Sequence, residues 1–536
     1  MGPRSGATLA AGLALAIIIA RLAALPLMPI DETRYLSVAW EMWQHHQFLV
    51  PTLNGETYAH KPPLLFWLIN LGWWLFGTSD GVSRLVIPAT GVLGFWVLAD
   101  IVRQFSPTAV KVARWAPLVL LSTSLWFVYL PLSMFDILLT LCLLVAVDGL
   151  LRYLRGGRRS MVMLAGVGLG LGMLTKGPVI LLYWLPLALS FSFWRPDGLH
   201  GPRHYYLTVL ATTLLGSLIV LAWAIPAAIT GGPDYARAIF WGQSAGRIAE
   251  SFAHARPWYW YLIMLMVLVL PWTVVNLWRS PPWATPLQRF ACWGFLPPLV
   301  LLSLVSGKQT HYLMPTMPFM AIWISSQMLT YPIGRQWGYA ALLVLLASLI
   351  AILPELADRY YPLAPLSLWT RLAAILPLTF AGLMVLRPRR CWLVLAWPLS
   401  LLTLLLLASP AIQRYYDLQP MARRLATLET QGIPLAYAGE YHNQFRFLGR
   451  LETNLELIDN ERRLATWANN HPNGRVIEVL RAPTARQRKI ATYHQPYRGR
   501  VYLIVPAARW RAFIAASTDA WPSSGSAVHP PHSRGL

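Results

Sequence analysis

Apolar residues in this chain come in long runs, not in the alternation of a half-buried strand or the single stripe of a surface helix. A bilayer core needs about 20 mostly apolar residues per helix. Windows of that length mark thirteen segments, near 7–28, 82–101, 114–130, 134–151, 160–175, 177–194, 206–230, 259–278, 290–306, 311–329, 337–353, 369–386 and 391–409. A further run, 64–76 (LLFWLINLGWWLF), is too short to cross and predicts a helix at or dipping into the interface, its Trp pair at headgroup level. The first run follows Arg4 as a signal peptide would. It is longer than a signal core, and no small-x-small site precedes Asp31, which predicts an uncleaved helix.

After Ser409 the pattern changes. Apolar runs shorten to strand length at 433–439, 475–482 and 500–507, with amphipathic stretches such as 451–469 between them. The expected fold class is an α-helical polytopic membrane protein of thirteen transmembrane helices with a C-terminal soluble α/β domain. The expected domains are a membrane domain at 1–409 with long loops at 29–81 and 231–258, an α/β domain at 410–520, and a disordered tail at 521–536.

Composition narrows the class. Of 536 residues 56% are apolar and 12% charged, with mean hydropathy +0.47, which excludes an ordinary water-soluble enzyme and a disordered chain. The net charge of +22 would suggest nucleic acid in a soluble protein. Its distribution says otherwise. With the N-terminus inside, alternate loops carry Arg103, Lys111 and Arg114; Arg152, Arg155, Arg158 and Arg159; Arg195 and Arg203; Arg279 and Arg289; Arg335; and Arg387, Arg389 and Arg390. The opposite loops are poor in basic residues, so the positive-inside rule predicts a cytoplasmic N-terminus. An odd number of crossings then places the C-terminal domain on the outer face. The three cysteines, Cys142, Cys292 and Cys391, fall in apolar runs and offer neither a disulfide framework nor zinc-ligand spacing.

The candidate chemistry lies in the outer loops. Asp31 and Glu32 open the first of them; Asp31 suits a general base or a helix N-cap, with Glu32 favourable in the first turn. Only five residues are Lys, and three of these, Lys61, Lys176 and Lys308, map to outer helix mouths. Lys61 stands in Tyr58-Ala59-His60-Lys61-Pro62-Pro63, where the prolines fix the backbone; it suits a phosphate or a lipid headgroup. Asp136, in Ser133-Met134-Phe135-Asp136, is an acid at the hydrocarbon boundary and so expected to be paired or functional. The second long loop brings Arg247, His254 and Arg256 beside aromatic pairs, suited to an aromatic belt or to a phosphate-bearing lipid and a sugar.

At these motifs the sequence resembles the ArnT family of lipid A aminoarabinose transferases, within the protein O-mannosyltransferase-like GT-C class. The likeness rests on DETRY…AWEMW…FLVPTLNGETYAHKPPLLFWL, then SMFD, LTKGP, FWGQSAGRIAESFAHARPWYWY and SGKQTHYLMPTMP, in family order. It implies an inverting glycosyltransferase of the bacterial inner membrane that takes a sugar from a polyprenyl-phosphate carrier at the periplasmic face. Catalytic roles fall by motif on Asp31 and Asp136. Carrier-phosphate contacts fall on Lys61, Lys176, Arg247 and Arg256. Substrate contacts fall on Glu32, Tyr35, Tyr58, Lys308 and Tyr312. The family usually has Glu at the position of His60; with His254 this chain would offer a His/His pair, which suits zinc, although no cofactor is required. The implied partners are an undecaprenyl-phosphate-linked sugar, lipid A or another envelope acceptor, and the bilayer, with no nucleic acid; the chain is expected to act as a monomer. Serine or threonine of a protein is the rival acceptor. A lipid-linked sugar transporter fits less well, because its charges should gather near the midplane.

Overall fold

The computed structural model describes residues 4–196, 202–242, 255–275, 281, 283–330, 332–360 and 368–518. The chain divides into two compact units, Met1–Gln413 and Arg414–Leu536. The first is helical. Its opening elements are α1 (Ser5–Ala24), α2 (Asp31–His45), the two-stranded hairpin β1 (Thr52–Leu53) and β2 (Glu56–Thr57), α3 (Leu64–Phe76), α4 (Asp80–Phe105), α5 (Val110–Leu121), α6 (Ser124–Tyr129), α7 (Phe135–Leu154) and α8 (Ser160–Lys176).

Seven helices among the described residues are long and apolar enough to cross a bilayer, fewer than the thirteen segments read from the sequence. The difference is local. The run at 114–130 breaks where the Thr123 hydroxyl accepts from the Trp126 N–H and starts α6 anew. The run at 311–329 opens as a 3-10 turn, Thr310–Thr316, before the helix Met317–Thr330. Short apolar helices account for 64–76, 337–353 and 371–386. The interfacial segment is a single helix, α3, with Trp74 72% and Phe76 75% exposed on its outer side.

The helix ends sort charge into two groups. At one end Arg4 of α1, Asp100 and Arg103 of α4, and Asp148 and Arg152 of α7 form one network. Asp100 takes Arg4 at 2.7 Å and both Arg103 and Arg152 at 3.3 Å, and Asp148 takes Arg152 at 2.6 Å. At the other end of the same helices lie Arg21, Arg84 and Asp136, and the C-terminal end of α8 adds Lys176. A helix of 20 residues, such as α7, spans about 30 Å, so the two groups are separated by the bilayer core.

The second unit is a five-stranded mixed sheet in the order β4-β3-β5-β7-β6, where β3 is Leu435–Ala438, β4 Glu456–Ile458, β5 Arg475–Leu480, β6 Tyr493–Tyr497 and β7 Arg500–Pro506. β3 pairs in parallel with β4 and β5; β7 runs antiparallel to β5 and β6. Alternation along the strands gives it two faces. Ala436, Val476, Leu503 and Val505 pack against Leu464 and Trp467 of the helix Glu461–Asn470 and against Trp510 and Phe513 of the C-terminal helix. Tyr437, Tyr502 and Tyr497 line the opposite face, where Phe445 meets Tyr502 at 5.1 Å. The expected tail at 521–536 lies outside the described residues.

Candidate active site

Asp31 is the first residue of α2, where a carboxylate faces the positive end of the helix dipole. Its Oδ1 accepts from Arg34 Nη2 at 2.5 Å, and its side chain keeps 40% exposure. Glu32 is turned the other way. It is buried, and it accepts the backbone N–H groups of Met28 at 2.9 Å and Ser133 at 3.1 Å, with Arg21 at 3.8 Å. Its oxygens therefore tie α2 to the segment that starts α7; this is a scaffold position, without a face for substrate.

The loop after α2 is held just as definitely. Asn54 and Gly55, with φ of 55° and 81°, form the two-residue turn between β1 and β2. Both N–H groups are received by the buried Glu41 carboxylate, at 2.5 and 3.2 Å. The hairpin delivers Tyr58, whose N–H bonds to the Pro51 carbonyl at 2.8 Å. An aromatic floor follows. Tyr35 meets Phe135 at 4.8 Å, Phe135 meets Phe66 at 5.6 Å, Phe66 meets Tyr58 at 6.1 Å, and Tyr58 meets His60 at 5.2 Å. Lys61 Nζ stands over the Phe135 ring at 5.6 Å. Burial, with Asp31 and Tyr58 nearby, pushes the Tyr35 phenol well above its ordinary value, so it stays a proton donor.

Behind this floor sits a buried ion pair. Asp136, in the first turn of α7 and 1% exposed, takes Lys176 Nζ at 2.6 Å on Oδ1 and faces His311 Nε2 at 3.7 Å on Oδ2. Lys176 also stands over the Tyr312 ring at 4.2 Å. The charges of Asp31 and Lys61 are felt at His311, and that of Lys61 at Asp136. Asp31, Tyr35, Tyr58, Lys61, Asp136, Lys176 and Tyr312 thus share one helix mouth.

The remaining expected residues fall elsewhere. Lys308 is 4% exposed and donates to the carbonyls of Arg256 at 3.0 Å and Val305 at 2.5 Å; with the Arg256 N–H on the Ser306 carbonyl, it clips 255–256 to 305–308. That leaves Lys308 engaged with backbone. The Arg256 side chain is exposed. Arg247 and His254 lie outside the described residues. His60 is exposed against Tyr58, and no group of three or more metal-ligating side chains occurs among the described residues. Two side chains of the mouth were not singled out from sequence: His311, which stands next to Tyr312 in its motif, and Tyr129, whose hydroxyl bonds to Thr310 Oγ1 at 2.7 Å.

An acid with solvent access, a cation beside it, an aromatic wall and a buried Asp–Lys pair at a helix mouth describe a membrane-embedded group-transfer site. Residues 60–229 match the family described as dolichyl-phosphate-mannose-protein mannosyltransferase. The chain is 28% identical over 310 residues, 54% of its length and 53% of the relative's, to the undecaprenyl phosphate-alpha-4-amino-4-deoxy-L-arabinose arabinosyl transferase of Serratia proteamaculans. The enzyme of the same name from Edwardsiella ictaluri is 30% identical over 353 residues, 61% of each chain. The match thus spans a little over half the length of these curated relatives. The crystal structure of ArnT from Cupriavidus metallidurans bound to undecaprenyl phosphate superposes with a TM-score of 0.73 at 19% identity, covering 93% of this chain and 97% of that one. The protein is ArnT-like: a multi-pass helical membrane protein whose fold, second unit included, is that of the ArnT structures.

Proposed function

We propose that the protein is an inverting glycosyltransferase that moves a sugar, 4-amino-4-deoxy-L-arabinose on the name of its relatives, from undecaprenyl phosphate to lipid A or another envelope glycolipid at the periplasmic face. The observation that carries this reading is the pairing of solvent-accessible Asp31 with Lys61 across the Tyr35–Phe135 floor. In the reaction an acceptor oxygen forms a bond to the anomeric carbon as the bond from that carbon to the carrier phosphate breaks. The electron pair leaves with undecaprenyl phosphate, and one displacement inverts the centre. Asp31 receives or orients the acceptor proton. Lys61, half-buried and free of any carboxylate closer than the Asp136 field, meets the charge developing on the leaving phosphate. Lys176 contributes to that charge only as far as Asp136 releases it. Tyr58 and Tyr35 offer the sugar an aromatic face. His60 supplies at most one described ligand to a metal, and none of these roles depends on one.

The test is mass spectrometry of lipid A and envelope glycans from a deletion strain complemented with wild type, Asp31→Ala and Lys61→Ala. Wild type should restore the missing glycoform, and each variant should leave it depleted. Full restoration by both variants sinks the site. The mannosyltransferase family match favours one second reading, transfer to protein Ser or Thr; it wins if glycopeptides change and glycolipids do not.

A further inference from the structure

Asp136 is buried, and a buried carboxylate has several lone-pair sites to satisfy. Its two oxygens are treated differently. Oδ1 takes the Lys176 ammonium at 2.6 Å, while Oδ2 faces His311 Nε2 at 3.7 Å. The imidazole is held on both sides, its ring centre 5.6 Å from Tyr129 and 4.9 Å from Tyr312, the latter nearly perpendicular at 88°. Those neighbours are themselves pinned, Tyr129 by its hydroxyl on Thr310 and Tyr312 by its carbonyl, which accepts the Tyr183 hydroxyl at 2.7 Å. His311 therefore has little freedom to leave Asp136.

We infer that His311 is a positioning residue: its Nε2–H holds Oδ2 of Asp136, so that the carboxylate engages Lys176 through one oxygen and leaves an ammonium N–H directed at the departing phosphate. With Oδ2 unheld, the carboxylate can rotate about χ2 and take Lys176 with both oxygens, which withdraws the cation from the site. Asp31 and Lys61 are the other charges felt at the imidazole, one of each sign, and both belong to the same mouth. The role rests on the transferase reading above; the contact on which it depends does not.

The experiment uses the purified full-length protein in nanodiscs with undecaprenyl-phosphate aminoarabinose and lipid A. His311→Phe keeps the ring volume and removes the donor; His311→Gln places an amide N–H near the Nε2 position. His311→Phe should lower kcat about tenfold with the donor KM changed by less than about twofold, and His311→Gln should recover most of that loss. Equal kcat for His311→Phe and wild type overturns the inference, as does a Gln variant no better than Phe. A thermal double-mutant cycle of His311→Phe with Asp136→Asn reads the contact without turnover. The Tm losses should be strongly non-additive; additive losses overturn the inference. If wild type transfers no sugar, the transferase reading fails by itself, and the thermal cycle still decides whether His311 holds Asp136.

Discussion

At the scale of single residues, the two acids of the mouth differ in what surrounds them. Asp31 is open to solvent and bound to an arginine on its own helix, whereas Asp136 is closed off and bound to Lys176. The open acid can exchange a proton with an acceptor. Asp31→Asn, nearly isosteric, should lower kcat about a hundredfold or more, the range for a lost general base, with little change in donor KM; steady-state kinetics with varied donor check this, and a purely raised KM would make Asp31 a binding group. What was legible at this scale was rarity: a lysine in a chain nearly without lysines, or an acid at a hydrocarbon boundary. Partnership was not legible. Glu32 stands beside Asp31 in sequence, yet one residue is a rotation of about 100° on a helix, and that rotation sends it into the interior. Lys308 reads like Lys61 until its ammonium is found on two carbonyls.

At the scale of elements, the mouth depends on small supports. The β1–β2 turn hangs on Glu41, whose carboxylate receives both turn N–H groups. A hydrogen bond to a charged group contributes about 1.5–3 kcal/mol. Glu41→Ala should therefore raise the open population of the hairpin at least tenfold, seen as faster protease cleavage within 52–61 and weaker donor binding. In the second unit, β5 carries a charge on its packed face. Burial raises the Glu478 carboxyl from its ordinary 4.5 to about 7, with Glu461 adding to the shift. A carboxyl raised in the folded state is protonated there while the unfolded chain ionises. The folded sheet thus loses stability as pH climbs from about 4.5 to about 7, and the loss is complete above that. Because Glu478 keeps some solvent contact, the cost is about 2 kcal/mol at pH 8. Hydrogen exchange of the β5–β7 peptides, compared at each pH with Glu478→Gln, should show the variant better protected at pH 8 and equal near pH 4; equal protection throughout would refute the shift.

At the scale of the whole molecule, the charge groups at opposite helix ends agree with the loop charges read from sequence, and both put the Asp100 network on the cytoplasmic side. A C-terminal alkaline phosphatase fusion should then be active and a C-terminal green fluorescent protein fusion dark; the reverse result inverts the molecule. Fold class was legible because apolar run length is a one-dimensional signal. The number of full crossings was not, because breaks such as the one at Thr123 come from a single hydroxyl, which hydropathy averages over. The sheet was legible only as three strands. β4 is three residues long and β6 contains Pro496, so neither offers an apolar run to find.

The Glu32 contacts have a bearing on biogenesis. One carboxylate joins the α1–α2 connection to Ser133, a hundred residues further along the chain. Until α4, α5 and α6 have left the ribosome and entered the bilayer, that carboxylate has no Ser133 amide to accept. The half of the mouth bearing Asp31 must therefore wait, incompletely assembled, for the half bearing Asp136. A chain stalled between residues 45 and 133 would present an unsealed acidic helix start at the membrane surface, a natural signal for quality-control proteolysis.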